Sequence, residues 1–157
     1  MEATLVQSSY ETERGKPMPS KNHAIVQQRL TVQLVNKYGK EYEILPEISL
    51  GTTAKERVPD IGIYPVLAFI PGEDEVKMEI APLGVIEILS PSQSLTELIT
   101  KSVDYFRAGV KSYWLVLPDL RTIYVFSAPN EYEVFTKKEK LTDAQLDIEI
   151  SLADIFR

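Results

Sequence analysis

The run Val85-Ile86-Glu87-Ile88-Leu89, at the centre of the stretch LGVIEILSPS (83–92), constrains this chain more than any other segment. It reads as a β-strand buried on both faces, because its apolar residues do not alternate with polar ones. A carboxylate in the middle of such a strand is costly unless it is paired or coordinates a metal. The alternative is structural: Glu87 sits at a strand rim and reaches water, or a nearby Lys or Arg neutralises it.

The elements around this strand follow from periodicity. Between His23 and about Lys37, Val26, Leu30 and Leu34 recur every four residues, and Ile25, Val32 and Val35 broaden the stripe. That spacing predicts an amphipathic helix, with Ser20 or Asn22 as its cap and Gly39 as its stop. EYEILPEISLG and RVPDIGIYPV read as extended pieces whose prolines, Pro46 and Pro59, favour an edge or a bulge. IPGEDEVKMEI is a charged connection opening on a Pro-Gly turn.

After the apolar strand, Ser94 and Glu97 have the spacing of a capping box, and Gly109 closes a helix. Leu95, Leu98, Ile99, Val103 and Phe106 form its expected buried stripe. KSYWLVL and RTIYVFS pair as a hairpin across Pro118 and Asp119, EYEVFT and LDIEI are weaker strands, and SLADIF suggests a last turn of helix. The first twenty residues are polar, with Gly15, Pro17 and Pro19 late in the run, and suggest an extended or hairpin arm with a mobile end. The order predicts a mixed α/β (α+β) fold around one central sheet, residues 1–157 forming a single domain.

Composition excludes several kinds of chemistry. The chain has no cysteine, which removes disulfides, thiolate catalysis and cysteine-based zinc sites and suits a cytoplasmic setting. No apolar stretch has the length of a membrane span or the form of a signal peptide. With 17 basic and 23 acidic side chains, the net charge of −6 argues against a nonspecific nucleic-acid coat. It leaves room for an enzyme that gathers carboxylates around divalent cations.

Three residues can then converge. Asp60 stands in a short strand after Pro59, Glu87 shares a strand face with Val85 and Leu89, and Lys101 lies at the flank of the next helix's apolar arc. Glu97 is four residues before Lys101, on the same side. Two carboxylates with an ammonium nearby suit phosphodiester hydrolysis through Mg²⁺ or Mn²⁺. Each residue also has a plain structural use: Asp60 bonding nearby amides, Lys101 snorkelling, and Glu97 capping its helix.

Five motifs together carry a resemblance. They are VPDIGIY (58–64), VIEILSPS (85–92), Lys101 with Tyr105, AGVKSYWLVLP (108–118), and SLADIF near the end. With YETERGKPMPSKNH at the start, the chain resembles the Uma-type “putative restriction endonuclease” family, abundant in cyanobacteria and placed in the PD-(D/E)XK nuclease superfamily. The resemblance implies a restriction-endonuclease-like central mixed sheet flanked by helices. It further implies a homodimer that hydrolyses DNA with Mg²⁺ or Mn²⁺. Asp60 and Glu87 match the family's metal ligands, and Lys101 its catalytic lysine.

Glu97 matches an acidic position before that lysine and would have a supporting role. Glu11 corresponds to the family's N-terminal glutamate, and His23 to the histidine opening the first long helix, where a helix-start role competes with catalysis. The sequence departs from the wider pattern at Leu89, where the superfamily has its lysine, and from the family at Leu83 and Leu117, where acidic residues are usual. A non-catalytic interaction or structural protein on the same fold, and a nuclease for RNA or branched DNA, are the alternatives.

Overall fold

The computed structural model describes residues 9–14 and 16–157. Its elements are α1 (Ser9–Arg14), α2 (Lys21–Tyr38), β1 (Tyr42–Pro46), β2 (Ser49–Leu50), β3 (Ile61–Pro65), β4 (Lys77–Met78) and β5 (Gly84–Ile88). They continue with α3 (Leu95–Arg107), β6 (Ser112–Leu117), a 3₁₀ turn at Pro118–Leu120, β7 (Thr122–Ala128), β8 (Glu131–Thr136), β9 (Lys140–Asp143), β10 (Ile148–Ser151) and α4 (Leu152–Ile155).

Six strands form the central sheet in the order β1-β3-β5-β6-β7-β8. Every neighbouring pair is antiparallel except β5 and β6, which run parallel. That one parallel pair needs a crossover, and α3 supplies it. The sheet is therefore mixed and flanked by helices, as the sequence predicts.

The reading of β5 as buried on both faces holds. Ile86 and Ile88 pack with Val26, Leu30 and Leu34 of α2 and with Trp114 and Val116 of β6. Val85 faces the other way, toward Leu98 and Tyr105 of α3 and Tyr113 and Leu115 of β6. Glu87 thus points into the α3 side of the core, two residues along from Val85.

Several expectations need correction. In the predicted N-terminal arm, residues 1–8 lie outside the described residues, and 9–14 are helical rather than extended. The α2 stripe of Val26, Leu30 and Leu34 is buried, but Val32 and Val35 are exposed. Gly39 does end α2, yet with a right-handed φ of −64°. Its glycine identity is a matter of space, since a Cβ there would meet Val35 O at 2.6 Å. Pro59 stands just before β3, an interior strand rather than an edge, while β1, ending at Pro46, is the sheet edge.

The most consequential correction concerns α3. Its cap is as predicted, Ser94 Oγ accepting from Glu97 N, and Gly109 leaves it with φ +100°. The buried face, however, is Leu98, Ser102 and Tyr105, while Leu95 and Ile99 are exposed. The helix is turned so that a tyrosine hydroxyl, not only aliphatic bulk, enters the core. That rotation brings the Lys101 side of the helix toward β5.

The β9–β10 hairpin is tied to the sheet by one buried carboxylate. Asp143 accepts from Ser112 Oγ, from Trp114 Nε1 at 2.7 Å, and from the amides of Gln145 at 2.9 Å and Leu146 at 3.3 Å. Removing the acceptor would leave a fully buried indole N–H and a buried hydroxyl without partners. Asp143→Ala is expected to lose about 3 kcal/mol of stability. Urea unfolding checks this, and an unchanged midpoint would contradict the anchoring role.

Candidate active site

The register of β3 against β5 sets Ile61 opposite Ile86 and Gly62 opposite Val85. Extending it by one residue puts Asp60 opposite Glu87. Both are only 1% exposed. Two like charges at directly opposed positions destabilise a sheet unless cations intervene. The side chains around them supply that compensation.

Asp60 is fully engaged. Its Oδ1 accepts from Lys16 Nζ at 2.6 Å. Its Oδ2 accepts from the Ile88 amide at 2.7 Å and pairs with His23 Nε2 at 3.0 Å. Its carbonyl accepts from Gln27 Nε2 at 2.9 Å and from Glu47 N at 3.1 Å. The residue is thus fixed by both α2 and β5.

Glu87 is only half satisfied. Tyr105 OH donates to Oε1 at 2.7 Å. Lys101 Nζ stands 4.0 Å from Oε2, too far for a hydrogen bond, and among the described residues Oε2 has no hydrogen-bond partner. Lys101 and Tyr105 are four residues apart on the turned face of α3, so one helix addresses both oxygens of this carboxylate.

The two acids are driven apart electrostatically. Burial alone would raise Asp60, but the His23 hydrogen bond and the Lys16 charge outweigh it and hold the group at about 2. Burial pushes Glu87 up from its ordinary value; Asp60 adds to that rise, and Lys16, Lys101 and the Tyr105 bond only partly oppose it. Burial and the neighbouring Glu87 charge push the Tyr105 phenol well up, so it remains a proton donor to Glu87.

The lysines open onto solvent through one cavity of about 500 Å³, lined by Lys16, Lys55, Arg57 and Lys101. Arg57 is held by Asp104, with Nη2 2.6 Å from Oδ2. The sequence offers no continuous basic patch, yet the fold brings Lys55 and Lys101 to one cavity beside Lys16 and Arg57, which are paired with Asp60 and Asp104.

Of the residues expected from the sequence, Asp60, Glu87 and Lys101 converge, and His23 joins them through Asp60. Glu97 lines the same cavity but is exposed at its rim, on the first turn of α3. Glu11 Oε1 accepts from Met18 N at 2.9 Å, which folds the segment carrying Lys16 back over the site. Lys16 itself was not expected. Its only local signal is a lysine between Gly15 and Pro17 in a polar stretch, and nothing in that pattern indicates burial.

The residues suit a hard divalent cation in a limited sense. Among the described residues, no three His, Cys, Asp or Glu side chains form a ready-made cage. Mg²⁺, however, is commonly held by one or two carboxylates together with water and substrate oxygens. A buried carboxylate oxygen without a donor, as at Glu87 Oε2, is an unmet demand for positive charge. Asp60 Oδ1 could serve the same ion once released by Lys16.

A family profile described as “Uma2: Putative restriction endonuclease” matches residues 11–153. Among solved structures, the chain is similar to one from Anabaena variabilis ATCC 29413, described as “a putative nuclease belonging to DUF820”. Identity is 26% and the TM-score 0.77, over 89% of this chain and 83% of that one. No curated protein matches the chain.

Opposite shifts give the two acids opposite pH signatures. Asp60 stays ionised in the folded protein below its ordinary 3.8, so its stabilisation is complete above about pH 4 and disappears as pH falls toward about 2. Glu87 keeps its proton above the ordinary 4.5, so it destabilises the fold progressively as pH rises past that value. Glu87→Gln is therefore expected to be more stable than wild type near pH 8, the difference vanishing below about pH 4.5. Asp60→Asn, which strands Lys16, should be less stable near pH 7 by roughly 3 kcal/mol. Denaturant titrations across pH check both, and a destabilised Glu87→Gln at high pH would overturn the assignment of strain to Glu87.

Proposed function

Because this chain belongs to the Uma2 family, we propose that its Asp60–Glu87 site hydrolyses DNA phosphodiester bonds with Mg²⁺ or Mn²⁺. One observation carries the reading: two neighbouring buried carboxylates, one with an oxygen that accepts no hydrogen bond from the described residues, lie beside Lys101 and a cation-lined cavity. A structural ion pair would leave neither an unpaired carboxylate oxygen nor a mouth lined with phosphate-binding side chains.

In this mechanism Asp60 and Glu87 would hold the ion, with Asp60 kept ionised by His23 and Lys16 and oriented by His23 and the Ile88 amide. When bound, the ion polarises the phosphoryl group and lowers the pKa of an attacking water. Lys101, 12% exposed, reaches from the cavity to Glu87 and either orients that water or stabilises charge developing on the phosphorus oxygens. Lys55 and Arg57, on the same cavity, hold flanking phosphates and set the position of the strand. Tyr105 fixes the Glu87 rotamer and keeps Oε2 turned toward Lys101. The Glu97 carboxylate at the rim takes a supporting part. A homodimer would present two such sites, one for each strand of a duplex.

Cleavage of plasmid, linear, branched and single-stranded DNA and of RNA, with and without Mn²⁺, tests this. Wild type is expected to cut DNA only with the ion present, and Lys101→Ala and Glu87→Ala to be at least ~100-fold slower. Equal rates in wild type and Lys101→Ala would remove Lys101 from the mechanism. No cleavage of any substrate by pure wild type would favour a non-catalytic interaction protein, and preferential cutting of RNA or branched DNA would reassign the substrate.

A further inference from the structure

Lys16 occupies an unusual place for a lysine. Its side chain is 4% exposed, and its ammonium lies 2.6 Å from Asp60 Oδ1. The Asp60 oxygens divide their partners: Oδ2 has the Ile88 amide and His23, both belonging to the framework of the fold, whereas Oδ1 has Lys16. Lys16 also acts on Glu87, where its charge is the strongest of the influences that favour the ionised acid. Its ammonium therefore pairs directly with Asp60 and acts on Glu87 through space.

The segment bearing Lys16 is suited to exchange. It lies between α1 and α2 without regular secondary structure, and a hydrogen bond from Met18 N to Glu11 Oε1 ties it down. Lys16 lines the same cavity as Lys55, Arg57 and Lys101, so a short movement carries its ammonium from the acids to the cavity mouth. At that mouth a phosphodiester oxygen would be its natural partner.

We infer that Lys16 is the resident cation of the Asp60–Glu87 pair, and that a divalent ion binds there by displacing its ammonium onto the substrate phosphate. The inference rests on the metal-dependent reading of the site. It explains why two buried acids persist with no third acidic ligand: the two carboxylates are already balanced by the Lys16 and Lys101 ammoniums, and a divalent ion added to that set leaves an excess of positive charge. A phosphodiester offsets half of that excess. Ion and phosphate should then bind with positive coupling, each tightening the other.

Mn²⁺ titration by calorimetry, on full-length wild type, Lys16→Gln and Glu87→Ala with folding verified by circular dichroism, tests the exchange. Lys16→Gln should bind Mn²⁺ at least about tenfold tighter than wild type, because a unit positive charge has left the ion's vicinity. A non-cleavable phosphorothioate oligonucleotide should tighten Mn²⁺ binding in wild type, and much less in Lys16→Gln. Amine-directed labelling read by mass spectrometry keeps the test independent of the variant's folding: Lys16 of wild type should label slowly without ion and at least about tenfold faster with saturating Mn²⁺.

Equal or weaker Mn²⁺ affinity in Lys16→Gln, or Lys16 labelling unmoved by saturating Mn²⁺, overturns the inference. If wild type still binds Mn²⁺ and Glu87→Ala does not, that failure is confined to Lys16. If wild type, Lys16→Gln and Glu87→Ala all fail to bind, or bind alike, the metal-dependent reading falls and the inference with it.

Discussion

The opposition of Asp60 and Glu87 across β3 and β5 organises this molecule. A sheet can set two acids side by side only if the surroundings lower the cost, and side chains from several elements are addressed to that cost. α2 contributes His23, the segment before it contributes Lys16, and α3 contributes Lys101 and Tyr105. Even the β5 backbone takes part, since the Ile88 amide donates to Asp60 rather than to the β3 ladder. The compensation is unequal. Asp60 is surrounded by donors and remains an anion, while Glu87 retains a bare oxygen and a raised proton affinity. Unequal compensation of the two neighbouring acids is the asymmetry on which the proposed reaction draws.

Glu87 was legible in the sequence because a charge in an unbroken aliphatic run contradicts its surroundings. Asp60 and Lys101 were legible only through order and spacing, since an aspartate after a proline and a lysine on a helix flank are common. The helices and principal strands were visible in their periodicity, and the β6–β7 hairpin in its turn residues. Lys16 was not visible. Its burial depends on the fold-back of a segment with no periodicity, fixed by Glu11 from the preceding helix. The face of α3 departs from its aliphatic pattern for a related reason: Ser102 and Tyr105 are buried in preference to Leu95 and Ile99. A polar group earns its place inside by the partner it meets, and partners across a fold are not written in local sequence.

The net charge of −6 also had a different meaning in three dimensions. It counts against a nonspecific coat for nucleic acid, but it is an average over the whole surface. Lys16 and Lys55–Arg57 come from loops, and Lys101 from a helix, so no window of sequence contains them together. Their convergence on one cavity places basic side chains together on an acidic protein, which is the arrangement the proposed phosphate binding draws on.

The leucine at position 89 fits this arrangement. A lysine there would extend from β5 itself, one step along the Glu87 face, where Leu89 instead packs against the α3 side of the core. Carrying the lysine on α3 separates the two tasks. β5 supplies the carboxylate and closes the core, while one helix face supplies a hydroxyl to Oε1 and an ammonium near Oε2. Because Lys101 and Tyr105 sit one turn apart, any shift of α3 moves both together and keeps their relation to each other. The 4.0 Å gap at Oε2 is then more than a loose ion pair. Under the proposed mechanism it would leave the oxygen open to a cation entering from the cavity, with Lys101 beside it.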